Sequence, residues 1–161
     1  MKRRFFLIGK AALLMSCFAT GVLASGDRPV DIPERARGAQ RVVVARVTST
    51  TPEWRTNAFG DRLIVTEVSL DVEETLKGTP ASLLFLDLEG GTLDGVTLRV
   101  SSLPQLNPGE RAVFFLDGTP SVSHVPHLKG QGILKLDANN QVRGSSLRLD
   151  DVRRLVRGAA R

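Results

Sequence analysis

The side chains best suited to catalysis or metal binding are the two histidines, His124 and His127, in the segment SHVPHLKG. Neutral imidazoles bind zinc, and a carboxylate such as Asp117 would be a suitable further ligand. Pro126 separates the two histidines and prevents them from sharing one face of a helix. We therefore favour a surface loop that carries two histidines. A hydrolase or metal-binding protein that uses His124 and His127 is the alternative.

The rest of the sequence contains none of the common catalytic motifs. The HExxH, GxSxG and P-loop patterns are absent, and neither Ser101–Ser102 nor Ser145–Ser146 has the context of a nucleophile elbow. The single cysteine, Cys17, lies in an N-terminal apolar stretch. Disulfides and thiolate metal sites are therefore not expected in a processed chain. We predict a protein that is not an enzyme and has no cofactor or metal. Catalysis by carboxylates that only the fold brings together is the alternative.

The polar segment 48–61, TSTTPEWRTNAFGD, carries the residues most typical of protein recognition. Its Pro, Asn and Gly residues predict a loop. The only tryptophan, Trp54, lies next to Arg55, and both residue types are enriched at binding hot spots. A loop at 118–131 carries the histidines, and two loops at the same end of the domain would form one surface. In the alternative interpretation, Trp54 folds back over the mouth of the predicted barrel as a lid. The predicted binding residues are Trp54, Arg55, Phe59, His124 and His127.

Residues 1–24 have the organisation of a signal peptide. Lys2, Arg3 and Arg4 precede an uncharged apolar run at 11–24. The run is shorter than the roughly 20 residues of a membrane-spanning helix, so no membrane span is expected. We predict cleavage after Ala24 and a periplasmic or secreted protein. A lipoprotein anchored at Cys17 is a minor alternative.

The charge of the processed chain argues against nucleic-acid binding. The sequence has 22 Lys and Arg and 17 Asp and Glu. Four of the bases, Lys2, Arg3, Arg4 and Lys10, lie in the predicted signal peptide, which leaves 18 bases against 17 acids, a net charge of +1. There is no tyrosine and only one tryptophan to stack on bases. The sequence therefore lacks the basic, aromatic surface that single-stranded nucleic acids require.

The segment 62–78, RLIVTEVSLDVEETLKG, organises the predicted fold. Apolar residues alternate with polar ones along it, which is the pattern of a strand with one buried and one solvated face. Glu74 interrupts this alternation. Because the strand is too long for one face of a small domain, we predict that it bends at Glu74.

Shorter segments with strand character surround this long strand. They predict an exposed lead-in at 25–40 with a helical turn at 34–37, a domain at 41–149, and a short helix at 150–161 capped by Asp150. The predicted strands are 41–47, 82–89, 95–101, 111–117, 132–137 and 141–149. Apolar residues of these strands and of the segment 62–78 are predicted to be buried together in one core: Val44 or its neighbour Val43, Val68, Leu70, Val72, Leu86, Leu98, Phe114 and Leu134. The nearly continuous apolar run 111–117 is predicted to be covered on both faces, and turns are predicted at 107–110 and 117–120. The fold class is all-β: a small closed OB-like (oligonucleotide/oligosaccharide-binding) β-barrel with one long bent strand and a short C-terminal helix.

These segments carry a family resemblance. VVVARVTST, a loop with a tryptophan, IVTEVSLDVEETLKG, LEGG, LNPGERAVFFL and GQGILKL together resemble a module of exported bacterial proteins, sometimes found beside matrixin-type metalloproteases. The first part also resembles the barrel of the netrin and tissue-metalloproteinase-inhibitor group. The resemblance covers 41–137 and rests mainly on core and turn residues, so it implies a fold more than a function.

One departure from that group concerns the N-terminus. The inhibitors act through a mature N-terminal cysteine that chelates the protease zinc, whereas this chain is predicted to begin at Ser25. Their inhibitory mechanism is therefore not carried over. We expect an exported, non-catalytic β-barrel module that binds an envelope or exported protein. Association with a protease is what the resemblance implies.

Overall fold

The computed structural model describes residues 31–118 and 123–159. The predicted signal peptide, the lead-in before residue 31 and the end of the turn predicted at 117–120 lie outside the described residues. Within them no helix has the length and apolar character needed to cross a membrane. The elements are α1 (Ile32–Gly38), β1 (Arg41–Thr56), β2 (Arg62–Lys77), β3 (Leu83–Glu89), β4 (Gly91–Leu93), β5 (Val96–Leu98), β6 (Arg111–Asp117), β7 (Val125–Pro126), a 3₁₀ turn (Lys129–Gly132), β8 (Ile133–Lys135) and α2 (Leu149–Ala159).

The strands form one large antiparallel sheet and one small one. The large sheet has the order β3-β2-β1-β6-β7, with β8 also paired to β6, and β4 pairs only with β5. The predicted predominance of β-structure is confirmed, but continuous strand pairing does not close the sheet into a barrel. The edges meet at one parallel bridge between Leu86 and His124. There Asp87 N donates to His124 O at 2.8 Å, and His124 N donates to Phe85 O at 2.9 Å. With only two residues, β7 is too short to extend this bridge into a ladder.

The first two strands form a hairpin much longer than predicted. β1 continues past the expected end at residue 47 and pairs with β2 as far as Thr56, with Thr50 opposite Val68 and Trp54 opposite Ile64. The prediction of a loop at 48–61 is therefore wrong for 48–56. The alternating strand β2 needs a backbone partner along its whole length, and the threonines of this segment suit a solvated strand.

The predicted bend of β2 coincides with irregular pairing. The β1–β2 register shifts between Val42 and Val43 and again between Val44 and Ala45, on either side of the pair Val44–Glu74. Such bulges bend a strand and increase its twist. Glu74 also accepts hydrogen bonds from α2, at 2.7 Å from Arg153 Nε and 3.3 Å from Arg157 Nη2. The irregular region of β2 is thus joined to the C-terminal helix.

The described residues contain two hydrophobic cores, whereas the sequence predicted one. β6 has fully buried side chains on both faces, as its nearly continuous apolar sequence predicted: Phe114 faces the inner core and Phe115 the core beneath the helices. The residues predicted to share one core are divided between the two. The inner core contains five of them: Val43, Val68, Leu70, Leu86 and Phe114. The helix-side core contains Val44 and Leu134, Val72 packs at the margin of the inner core, and Leu98 belongs to neither. The helices account for the second core because they cover the outer face of β1 and β6.

The segment before β1 is structural, so the expectation of an exposed lead-in is wrong for 32–39. Ile32 and Ala36 are fully buried in the helix-side core. Asp31 caps α1 by accepting a hydrogen bond from Glu34 N at 3.0 Å. Lys77 Nζ donates to main-chain carbonyls at the end of α1, including that of Ala36 at 2.7 Å. The predicted helical turn at 34–37 is confirmed as part of α1.

Three predictions of local structure need correction. The segment 95–101 is not one strand with an inward face; its first residues form β5, and Val96 is exposed. The partner strand predicted at 141–149 is reduced to two isolated bridges. The last helix begins at Leu149, and Asp151, rather than Asp150, accepts a hydrogen bond from Arg148 N at 3.1 Å. In the first two cases few residues have backbone partners, so alternation alone overestimates the strand.

Candidate functional site

The candidate site is the turn that joins β1 to β2, residues 57–61, which we call the hairpin tip. Asn57 organises it: its Oδ1 accepts hydrogen bonds from Phe59 N and Asp61 N, both at 2.9 Å. Asn57 N donates to Asp61 O at 2.9 Å, and Gly60 takes a φ of 88°, which favours glycine. Local hydrogen bonds therefore fix the backbone of the hairpin tip without help from the core.

Phe59 is the most exposed large apolar side chain among the described residues, with 90 % of its surface accessible. It lies at the hairpin tip, and the other phenylalanines of the described chain are buried or, in the case of Phe85, 41 % exposed. An aromatic ring held by an ordered turn loses little conformational entropy when a partner covers it. Phe59 is thus suited to act as an anchor in a protein interface.

Trp54 braces the hairpin tip instead of forming it. The indole Nε1 donates to Asp94 Oδ2 at 3.1 Å, and the guanidinium of Arg62 lies 4.5 Å from the ring centroid. This geometry is a cation–π contact. Trp54 is half-buried on the last part of β1, so it is neither a loop residue nor a freely exposed one. We call Trp54, Arg62 and Asp94 the brace.

The brace joins the small β4–β5 hairpin to the long one. At the start of β4, a Cβ on Gly91 would lie 2.5 Å from Thr66 Oγ1 and 3.3 Å from Pro52 Cβ, so the backbone of β4 packs directly against side chains of the long hairpin. Asp94, at the turn of this hairpin, reaches Trp54. β4 therefore runs toward the hairpin tip, and its turn presents Val96, which is 49 % exposed.

Arg55 is engaged by carboxylates of the sheet. It forms ion pairs with Glu53 and Asp87 and lies 3.9 Å from Glu67. The hydrogen bond to Asp87 holds the pKa of Arg55 above its usual value. Because this charge is already compensated, Arg55 contributes to the stability of the sheet more than to a free binding surface.

His124 is buried, with 2 % of its surface accessible, at the bridge between β3 and β7. Neither ring nitrogen has a hydrogen-bond partner among the described residues. Burial lowers the pKa of His124 below its ordinary value, and the nearby charge of Arg41 lowers it further. The ring is therefore held neutral and inside the protein, where it forms no part of an accessible surface.

His127 forms the one histidine–carboxylate pair in the described residues: its Nδ1 lies 2.8 Å from Asp117 Oδ2. The other nitrogen faces α1, since a Cβ placed on Gly38 would lie 2.5 Å from Nε2. A reacting group has no room on that side. The described residues also contain no cluster of three or more His, Asp or Glu that would hold a metal ion.

The five predicted binding residues do not form one surface. Trp54 and Phe59 lie toward the hairpin tip. Asp117, the partner of His127, follows Leu116, which pairs with Arg41 at the opposite end of β1. The tip and the histidine pair are therefore separated by the length of β1, which has 16 residues.

Sequence reasoning missed Asp94 and Arg62, which complete the brace. Asp94–Gly95 is a strong signal for a tight hairpin turn, and it was available in the sequence. The predicted strand 95–101 included Gly95, so the turn was not predicted. The stacking of Arg62 on Trp54 depends on the pairing register of β1 with β2, which no local pattern reveals.

No protein-family model matches the sequence, and no curated protein matches it.

Proposed function

We propose that this chain is an exported, non-catalytic β-rich module that binds a protein partner through the hairpin tip. The observation that carries the proposal is the exposure of Phe59, 90 %, on a turn fixed by Asn57. Solvation of a large apolar ring is unfavourable, and a ring that an ordered turn already holds in place loses little entropy when a partner covers it. The partner is an envelope protein or an exported protease with an apolar pocket for the ring.

The phenylalanine ring of Phe59 is large enough that its removal alone tests the proposal. Burial of a phenylalanine side chain contributes about 1.5–3 kcal/mol. A contribution of about 2 kcal/mol corresponds to a change of roughly 30-fold in affinity. The brace is expected to increase the affinity further, because it holds the base of the hairpin tip in one position and so reduces the entropy lost on binding.

The fold proposed for this module is an OB-like barrel of the netrin-like kind. β1 pairs with both β2 and β6, and the two hydrogen bonds at His124 join β3 to the segment before β7. These contacts support such a closure. The association with proteases rests on the sequence resemblance of 41–137 alone.

A hydrolase is the second candidate, favoured by the 2.8 Å contact between His127 Nδ1 and Asp117 Oδ2. A carboxylate at this distance orients a general base. The base would have to act through Nε2, which faces the backbone of Gly38. Binding therefore agrees better with the geometry. Turnover of a substrate that is abolished by His127→Ala would overturn the non-catalytic proposal.

We expect Phe59→Ala to weaken capture of the partner by roughly 30-fold while leaving the fold intact. The measurement is a pull-down from the envelope and secreted fractions of the producing cell, followed by titration of the retained protein. The free energy of unfolding should change by less than about 0.5 kcal/mol, because the ring has almost no contacts to lose.

Phe85→Ala is the matched control, since it also removes an exposed phenylalanine, from β3. It should bind like the wild type. A partner that is retained equally by the wild type and Phe59→Ala would exclude the hairpin tip as the binding site.

Export makes a separate prediction. Intact-mass measurement on protein recovered from the producing cell should give a chain that begins at Ser25. Retention of residues 1–24 would refute export by cleavage, and acyl groups on Cys17 would support the lipoprotein alternative instead.

A further inference from the structure

A second concave region lies away from the hairpin tip, between the β1–β2 hairpin and the segment that follows β5. It is a cleft of about 470 Å³. On one side it is lined by Thr50 and Val68 of the long hairpin, and on the other by residues 98–101 and 103–107. Clefts of this size accommodate small ligands.

The floor of the cleft is apolar and continuous with the inner core. Val68, Leu88 and Leu106 are buried core residues that also line the cleft. Leu103 packs at the margin of the same core and forms part of the wall. One or two aliphatic side chains of a ligand would therefore extend the existing core.

The rim carries one charge of each sign. Glu89 and Arg99 both line the cleft and are exposed. Neither forms an ion pair with a described residue. They lie on adjacent segments, since a Cβ on Gly90 would be 2.9 Å from Leu98 O. Thr92 and Asn107 add polar groups to the same lining.

This lining discriminates among classes of ligand. Sugars and nucleobases bind on aromatic platforms, and no aromatic residue lines the cleft. A fatty acid would place its carboxylate near Glu89 as well as Arg99. A short peptide with free termini offers a carboxylate to Arg99, an ammonium group to Glu89 and an aliphatic side chain to the floor. Charge complementarity therefore favours the peptide.

We propose that the cleft binds short aliphatic peptides, with Arg99 contacting the ligand carboxylate and Glu89 its ammonium group. The site is independent of the hairpin tip, since Phe59 is not part of its lining.

The test is a titration of the ¹⁵N-labelled protein with the dipeptide Leu-Leu, followed by amide chemical shifts. Saturable shifts are expected in 98–107 and at Val68, with a dissociation constant on the order of 1 mM. Capped N-acetyl-Leu-Leu-amide, which lacks both charges, should bind roughly fivefold more weakly. Phe59→Ala should bind the dipeptide like the wild type.

Three variants make the test specific. Arg99→Gln should weaken binding of Leu-Leu by roughly threefold and leave the capped peptide unchanged. Arg37→Gln removes an exposed arginine of α1 outside the cleft and should change neither. Ser101→Trp places a large side chain on the exposed wall and should reduce binding at least about tenfold in a protein whose spectrum stays dispersed.

Several results would overturn the proposal. They are the absence of saturable shifts up to the solubility limit of the dipeptide, equal affinity for the free and capped peptides, and equal effects of Arg99→Gln and Arg37→Gln.

Discussion

Phe114→Ala and Phe115→Ala are each expected to lower the free energy of unfolding by about 3–5 kcal/mol. Both rings are fully buried, but they face different cores: Phe114 lies among inner-core residues such as Val43 and Leu86, and Phe115 lies beneath α1 and α2. A sheet with one solvated face would make only one of the two substitutions costly. Urea denaturation of both variants measures the difference.

Phe85→Ala is the control, because this ring on β3 is 41 % exposed and should cost less than about 1 kcal/mol. Since a domain of this size has about 5–15 kcal/mol of stability, Phe114→Leu and Phe115→Leu serve where an alanine variant does not fold. A Phe115 variant as stable as Phe85→Ala would contradict the two-core arrangement.

The free energy of unfolding is expected to fall as the pH is lowered from about 6.5 to 5, because of His124. Its folded-state pKa is below its ordinary value, through burial and then the charge of Arg41. In this interval the unfolded chain takes up a proton that the folded protein excludes, so stability present above the unfolded pKa is lost below it. The slope is at most about 1.4 kcal/mol per pH unit.

His124→Leu tests the assignment, since it fills the site with an apolar side chain of similar volume. Its stability should vary much less between pH 6.5 and 5, and it should exceed the wild type at pH 5. A slope that survives in His124→Leu would place the titrating group elsewhere.

Glu73 also makes stability depend on pH, but in a lower pH range than His124. The hydrogen bond from Arg111 holds the pKa of Glu73 below its usual value. Its contribution to stability is therefore present above the ordinary carboxyl pKa, about 4.5, and is lost as the pH falls lower. The interval assigned to His124 lies above that range.

The alternation of 62–77 and the nearly continuous apolar sequence of 111–117 were sufficient to predict two strands. The alternation placed Ile64, Val68 and Leu70 on the buried face, but Val65, on the opposite face of the strand, is buried as well. The apolar run predicted burial on both faces of β6, which the buried residues 112–116 confirm. The turn at Asn107–Glu110 was also predictable: Glu110 N donates to Asn107 O at 3.1 Å, and Gly109 has a φ of 88°.

The candidate site was predicted in two of its residues but not in its geometry. The sequence singled out Trp54 and Phe59, but predicted a polar loop at 48–61 where β1 continues. The extent of β1 depends on pairing with β2, which is distant along the chain, and polar strand residues give no periodic signal when both faces are solvated.

What the sequence by itself determined is therefore local: most of the buried face of β2, the buried face of β3, the two buried faces of β6 and the turn chemistry. Tertiary structure alone decided that α1 is buried, that His124 lies inside the protein while Phe59 lies outside, and that Asp94 reaches Trp54. The physical reason is that burial of a single side chain depends on what packs over it. A short segment such as SHVPHLKG contains no record of the strand edge that covers His124, and NAFGD none of the open solvent around Phe59.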